Sequence, residues 1–261
     1  MTREDISFKT SDGVTLRGWF YTHNSRSASP LPCLVMSHGF SAVKEMSLDK
    51  YASHFIRQLS LNILVYDHRG WGASDTLPSQ PRQELIASVQ SSDMSDAITY
   101  AQSRKEVNLE KVGIWGSSYS GGHVLWVGAV DKRVKAVVTQ LAMMNGLGRA
   151  AGQPPVLTPV VSSDSTKPGA LSTAESFDME DLRSYCPSFH IHHISPTPLL
   201  MTLAEKDTLC PIDIGLEDYS RALEPKELQI LPGGHFDGYI SPMFDLTVER
   251  QTAFLKKTLC A

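Results

Sequence analysis

The chain has 261 residues, a hydrophobic fraction of 41%, a charged fraction of 20% and a formal net charge of −4. That length suits one large domain or two small ones, and the apolar fraction supports a sizeable core. The mild acidity, without any long basic run, argues against nucleic acid or an anionic membrane surface as partner, and no apolar run approaches the ~18 residues that span a bilayer.

The N-terminus, Met1-Thr2-Arg3-Glu4-Asp5, is polar and lacks the apolar stretch of a signal peptide. Residues 5–22 alternate around Asp12-Gly13, a hairpin signal, with Ile6, Phe8, Val14, Leu16, Trp19 and Tyr21 as apolar partners. This predicts an antiparallel pair at a sheet edge, followed by a polar loop over 23–32. Cys33-Leu34-Val35-Met36 is a short apolar run, as expected of a strand buried on both faces. It ends in Ser37-His38-Gly39-Phe40-Ser41. Residues 47–59 read as a helix capped by Ser47, with Leu48, Tyr51, Ala52, Phe55, Ile56 and Leu59 on one face. A strand over 61–66 then runs into the glycine-punctuated loop Asp67-His68-Arg69-Gly70-Trp71-Gly72.

A long helix, whole or broken, is expected from about Arg82 to Arg104, then strands at 111–116 and 134–138. Strands alternating with helices imply a mostly parallel sheet covered on both faces. The pattern breaks over residues 142–194, which contain Pro154-Pro155, Pro159, Pro168-Gly169 and the run Ser162-Ser163-Asp164-Ser165-Thr166. A loop that long is usually functional, and it reads as a lid inserted over a site; a disordered surface excursion is the alternative. Regularity returns with a strand at 198–204, a helix at 213–223, a strand at 227–231 and a helix at 244–258. The cysteines, Cys33, Cys186, Cys210 and Cys260, are scattered without a CxxC pair. Free thiols in a reducing, cytoplasmic setting fit better than a disulfide framework or a zinc site.

The chemistry is concentrated at Val112-Gly113-Ile114-Trp115-Gly116-Ser117-Ser118-Tyr119-Ser120-Gly121-Gly122. A buried strand, a sharp turn bearing serine and a helix are the sequence form of a nucleophile elbow. Ser118 falls just past the strand, flanked two positions away by Gly116 and Ser120. Ser117 has the bulky Trp115 two positions back, and Ser120 lies inside the helix. Serine needs an adjacent base, usually a histidine oriented by a carboxylate. The strand at 198–204 delivers Asp207 and the strand at 227–231 delivers His235. Ser, Asp, His is the chain order of the α/β-hydrolases. Asp237 is too close in sequence to reach round to His235, and Asp213 lies past a proline on the next element, so Asp207 is preferred.

His38, Asp67 and Ser118 follow the chymotrypsin order instead, but that order belongs to paired β-barrels. His38-Gly39-Phe40 fits better as an oxyanion loop, in which the backbone N–H groups of Phe40 and Tyr119 point at the developing charge. The histidines of His190-Ile191-His192-His193 are read as sitting where the lid returns to the core, so no metal and no cofactor are expected. The Asp67–Gly72 loop lacks a P-loop lysine and dinucleotide glycine spacing; Arg69 is expected to pair with a local carboxylate. Met143 and Met144, at the start of the lid, are candidates for contact with an apolar substrate, or else for core packing. Cys210 reads as a small buried hydrophobe.

The runs His38-Gly39-Phe40-Ser41-Ala42-Val43-Lys44-Glu45-Met46, Tyr66-Asp67-His68-Arg69-Gly70-Trp71-Gly72, Gly116-Ser117-Ser118-Tyr119-Ser120-Gly121-Gly122-His123, Ser195-Pro196-Thr197-Pro198-Leu199-Leu200-Met201 and Pro232-Gly233-Gly234-His235-Phe236-Asp237-Gly238-Tyr239 together resemble one α/β-hydrolase group. It is the fungal group of polyketide transferases and thiohydrolases, more distantly similar to dienelactone hydrolases. The resemblance covers nearly the whole chain. It implies a single domain over 1–261 with an eight-stranded, mostly parallel sheet and a lid at about 142–194, in which the stretch at about 170–185 is shorter than is usual in the group. It also implies that serine at position 120 is normal, and that acyl-enzyme chemistry runs on Ser118 with His235 as base and Asp207 as its partner. The implied substrate is a small-molecule ester, thioester or lactone of polyketide-like secondary metabolism, free or carried by a carrier protein or CoA. Water, an alcohol or the substrate's own hydroxyl would accept the acyl group, the last making the enzyme a lactone-forming cyclase. A ligand-binding homologue without catalysis is the alternative from another class.

Overall fold

In the computed structural model, which describes residues 1–24, 29–145, 176–177 and 184–261, the Asp12-Gly13 turn joins β1 (Thr2–Lys9) to β2 (Thr15–Thr22) as an antiparallel pair. Gly13 takes φ 89°, a backbone that side-chain-bearing residues rarely adopt. The apolar runs that follow become β3 (Leu31–Ser37) and β4 (Asn62–Tyr66), then, after the short β5 (Glu84–Leu85), β6 (Val107–Ser117) and β7 (Val134–Gln140). Beyond the short β8 (Ser176–Phe177) lie β9 (Leu199–Ala204) and β10 (Lys226–Leu231). Eight strands form one sheet in the order β1-β2-β4-β3-β6-β7-β9-β10. Every pairing from β4 through β10 is parallel, and only β1–β2 and β2–β4 are antiparallel.

Among the described residues, five helices cover the sheet: α1 (Leu48–Gln58), α2 (Ala87–Ser103), α3 (Tyr119–Val130), α4 (Ile212–Arg221) and α5 (Met243–Thr258). Successive strand residues point to opposite faces. Along β3, Cys33 and Val35 join one core with Met94 and Ile98 of α2 and Val124 of α3, while Leu34 and Met36 join the other with Tyr51 and Phe55 of α1 and Leu255 of α5. Both faces are therefore apolar, which is why the central strands read as continuous hydrophobic runs. Burying each such Val, Leu or Ile side chain stabilises the fold by ~1.5–3 kcal/mol. No helix among the described residues is long and apolar enough to cross a membrane, and all four cysteines are free.

Local readings needed correction in two places. The helix expected from Arg82 begins at Ala87; before it, Gln83 is left-handed at φ 65° and Glu84–Leu85 pairs in parallel with Ser176–Phe177. Ser47 does not cap α1 through its side chain. It sits at φ 72°, and its carbonyl accepts from the N–H groups of Lys50 and Tyr51 at 3.1 and 3.2 Å. Most of the stretch expected to form a lid lies outside the described residues. Of it, 142–145, 176–177 and 184–194 are described, the last including a 3₁₀ turn at Pro187–His193.

The Asp67–Gly72 loop is pinned by Arg69, which does pair with carboxylates. Its Nε donates to Asp93 Oδ2 at 2.8 Å and its Nη1 to Asp12 Oδ2 at 2.8 Å. Burial works against the guanidinium charge, but these bonds outweigh it and raise the Arg69 pKa further. Asp93 is fully buried. Arg69→Leu should leave its carboxylate stranded and destabilise the protein by ~3–5 kcal/mol, read as a lower urea midpoint. Hydrogen bonding to Arg69 holds the exposed Asp12 carboxyl down at about 2, from an ordinary 3.8. Its contribution is thus present above pH 3.8 and is lost as pH falls through about 2. In Arg69→Leu, thermal melts across that window should show a shallower acid dependence than the native protein.

Candidate active site

β6 runs straight into Ser118, whose φ of 54° and ψ of −118° form the sharp turn before α3. Such a backbone costs a non-glycine residue on the order of 1–3 kcal/mol, so the surroundings must hold it. Its N–H donates to the Gln140 carbonyl at 2.8 Å, and its carbonyl accepts from the N–H groups of Gly121 and Met143, both at 2.9 Å. A Cβ at Gly116 would come within 2.2 Å of the Ser120 carbonyl oxygen, so this flank tolerates only glycine. On the other flank Ser120 does more than stay small. Its hydroxyl donates to the His38 carbonyl at 2.5 Å and meets His68 Nε2 at 2.7 Å, tying the elbow to the loop after β3.

Ser118, Asp207 and His235 come together. His235 Nε2 lies 2.9 Å from Ser118 Oγ, and His235 Nδ1 lies 2.7 Å from Asp207 Oδ2. A carboxylate accepts, so Nδ1 carries the proton and Nε2 is left as an acceptor facing the serine hydroxyl. The other Asp207 oxygen accepts from the Leu209 and Cys210 N–H groups at 2.9 and 2.7 Å, which fixes the carboxylate plane. Asp237 is otherwise engaged, accepting from the Gly234 N–H at 2.8 Å, and Asp213 lies in the first turn of α4. Among the described residues, one trio of potential metal ligands comes within 4.8 Å, namely Asp207, Cys210 and His235. Both Asp207 oxygens are already committed to N–H donors. Burial, then the Asp207 charge, pushes the Cys210 thiol well up. The His190–His193 run forms no such cluster among the described residues.

The loop after β3 closes over Ser118. A Cβ at Gly39 would stand 3.0 Å from Ser118 Cβ, and the Phe40 ring meets the Tyr119 ring edge to face at 5.8 Å. Phe40 and Tyr119, the residues expected to form the oxyanion hole, are therefore neighbours beside Ser118. Asp67 anchors the loop. Fully buried, it accepts from Lys44 N at 2.8 Å, Lys44 Nζ at 2.7 Å and Ala73 N at 3.0 Å. Burial disfavours the Lys44 ammonium, but its bonds to Asp67 and Glu45 win and raise its pKa. His38 does not form a chymotrypsin-like pair: its Nε2 is 3.9 Å from Asp67 and accepts the His68 N–H at 3.1 Å. Burial lowers the pKa values of His38 and, with His38 and His123 nearby, of His68. Both rings stay neutral and serve the scaffold.

Burial also drives His123 down to about 3. Its Nδ1 faces the Tyr185 hydroxyl at 2.6 Å, and Tyr185 packs with Trp71, Leu85, Ala87 and Tyr119 in an aromatic cluster that Phe40 and Met143 abut. Met143 thus packs against the cluster that contains Tyr119, whereas Met144 is buried in the main core. Tyr185 also lines a cavity of about 440 Å³, together with Ser88, Ser91, Trp126, Phe189 and His190 among others. None of Ser118, Asp207 or His235 lines it. The strand-end pattern that singles out Ser118, Asp207 and His235 in the sequence corresponds to three side chains that lie together. The Ser120 and Asp67 contacts had no local signal, because each joins segments far apart in the chain.

Comparison with known proteins agrees with this geometry. A family model described as the alpha/beta hydrolase fold matches residues 32–156. The polyketide transferase GrgF of a Penicillium species is 31% identical, with 98% of this chain and 97% of that protein covered. Its crystal structure superposes with a TM-score of 0.83 over the full length of both chains, at 28% identity in that alignment. The thiohydrolase AneE of Aspergillus aculeatus is 25% identical, covering 99% of this chain and 94% of its own. The chain therefore belongs to the α/β-hydrolase family, as an enzyme of the hydrolase or acyltransferase type whose relatives include fungal polyketide transferases and thiohydrolases.

Proposed function

We propose that the protein transfers or hydrolyses an acyl group through an acyl-enzyme on Ser118. The observation that carries this is the unbroken line from Ser118 Oγ to His235 Nε2 at 2.9 Å, and from His235 Nδ1 to Asp207 Oδ2 at 2.7 Å. His235 Nε2 takes the Ser118 hydroxyl proton as Oγ attacks the substrate carbonyl carbon. The carbonyl oxygen becomes an oxyanion, held by the N–H groups of Phe40 and Tyr119. Collapse expels the leaving group, which takes the proton from His235. Water or a hydroxyl acceptor then gives its proton to His235 and attacks the acyl carbon, and His235 returns that proton to Ser118 Oγ as the acyl–serine bond breaks. Asp207 keeps the imidazole in the required tautomer throughout.

The names of the relatives point to a polyketide-like acyl chain as donor, as an ester, lactone or thioester on CoA or a carrier protein. The apolar surroundings of Phe40, Tyr119 and Met143 suit the acyl chain.

Ser118→Ala should abolish turnover of a short p-nitrophenyl ester and block labelling by a fluorophosphonate probe. Full activity in that variant, or a native protein that takes up no probe, would sink the mechanism. Asp207→Asn should keep the fold and lower kcat by ~10⁴, since the wrong tautomer then faces the serine; a change under tenfold would remove Asp207 from the triad. Gly39→Ala places a methyl 3.6 Å from Ser118 Oγ, in the space through which a carbonyl approaches. Its kcat/KM should fall by ~10²-fold, and unchanged kinetics would mean that the substrate arrives from elsewhere.

A further inference from the structure

Ser118 and His235 follow β6 and β10, strands that are not neighbours, since β7 and β9 lie between them. Sheet pairing therefore does not by itself set the distance between nucleophile and base. A closed loop of hydrogen bonds does. Gln140, the last residue of β7, accepts the Ser118 N–H on its main-chain carbonyl at 2.8 Å. Its side-chain Nε2 donates to the Tyr51 hydroxyl at 2.9 Å, and that hydroxyl donates to the Gly238 carbonyl at 2.6 Å. The next residue, Tyr239, returns to the elbow, its hydroxyl donating to Ser117 Oγ at 2.8 Å. The covalent links Gly238–Tyr239 and Ser117–Ser118 close the ring.

The direction of these bonds is specified from outside. Trp115 Nε1, which can only donate, gives its proton to Gln251 Oε1 at 2.9 Å. Gln251 must then present its amide to Gln140 Oε1, at 3.0 Å. Gln140 is left with its amide toward Tyr51, whose own proton must point at Gly238. Trp115, Gln251, Gln140 and Tyr51 are all fully buried, so no water competes for these groups and each has one satisfactory orientation. Burial pushes the Tyr51 phenol up and the Tyr239 phenol to about 12. Both therefore remain donors at any pH at which the enzyme is assayed.

We propose that this ring sets the spacing of Ser118 and His235, which makes Tyr51, Gln140 and Tyr239 positioning residues for acyl transfer. The proposal rests on the triad reading above. The ring reaches the His235 loop just past the base, at Gly238 and Tyr239, while Lys206 N–H holds Gly233 O before it at 2.8 Å. Asp207 orients the imidazole; the ring fixes the backbone that carries it. Two tethers of the ring, Tyr51 to Gly238 and Tyr239 to Ser117, act in parallel, so either alone retains part of the constraint.

The test is a double-mutant cycle with Tyr51→Phe and Tyr239→Phe, which delete the hydroxyls and keep the ring shapes. Each single variant should lower kcat roughly 3-fold, and the pair roughly 30-fold or more, exceeding the product of the singles, with KM within about twofold of the native value. Ile56→Ala, a core truncation on the same helix as Tyr51, serves as the stability control. It should lower the Tm at least as far yet keep its kcat per folded molecule. A double variant with native kcat, or an Ile56→Ala enzyme that loses kcat as steeply, would overturn the proposal. If the double variant does not fold, the two single variants against Ile56→Ala decide by the same criterion. Failure of the underlying reading is distinguishable, because a native enzyme that takes no fluorophosphonate on Ser118 refutes the triad, whereas a labelled enzyme with normal kcat in the Tyr→Phe variants refutes the ring alone.

Discussion

The left-handed backbone at Ser118 is the constraint on which the rest of the site depends. A serine at φ 54° is unfavourable in isolation. It persists because the sheet, the helix and the following loop each take one of its polar groups. Gln140 accepts its N–H, while Gly121 and Met143 donate to its carbonyl. Space for the turn comes from Gly116 on one side and from Gly39 on the other, where any Cβ would collide or crowd. The strain turns the hydroxyl out of the sheet, toward the end of β10 where His235 waits.

Around that turn many polar groups are buried. His38, which begins the loop after β3, packs against His68, and His68 against His123; burial drives each toward its neutral form. Neutral rings let that loop pass close to Ser118 without adding positive charge there. The charges that are buried, Asp67 with Lys44 and Asp93 with Arg69, sit in close pairs with several hydrogen bonds each. Removing one member strands the other, which makes these pairs sensitive points of the fold even where they are remote from the chemistry.

Much of the site is legible in the amino-acid sequence. The continuous apolar runs mark strands covered on both faces, and in such a sheet chemistry collects beyond the strand ends. Ser118 is separable from Ser117 and Ser120 by the size of its neighbours, and Asp207 from Asp213 and Asp237 by position. Errors arise where a local rule meets a non-local partner. Ser47 has the right chemistry for a cap but enters α1 from a left-handed turn. The helix signal before Ala87 gives way to Gln83 at positive φ and to a strand pairing with Ser176–Phe177.

Sequence alone determined the fold class, the candidate nucleophile and the order of its partners, because strand periodicity, turn sterics and strand-end residues are local properties. Only the tertiary structure decided how Ser118 Oγ and His235 Nε2 are held at 2.9 Å. The groups responsible are far apart in the chain: Trp115 meets Gln251 across 136 positions, Gln140 meets Gln251 across 111, and Tyr239 meets Ser117 across 122. A glutamine or tyrosine in a strand or helix carries no mark of which distant hydrogen bond it will make. That choice is made when burial removes water as the alternative partner.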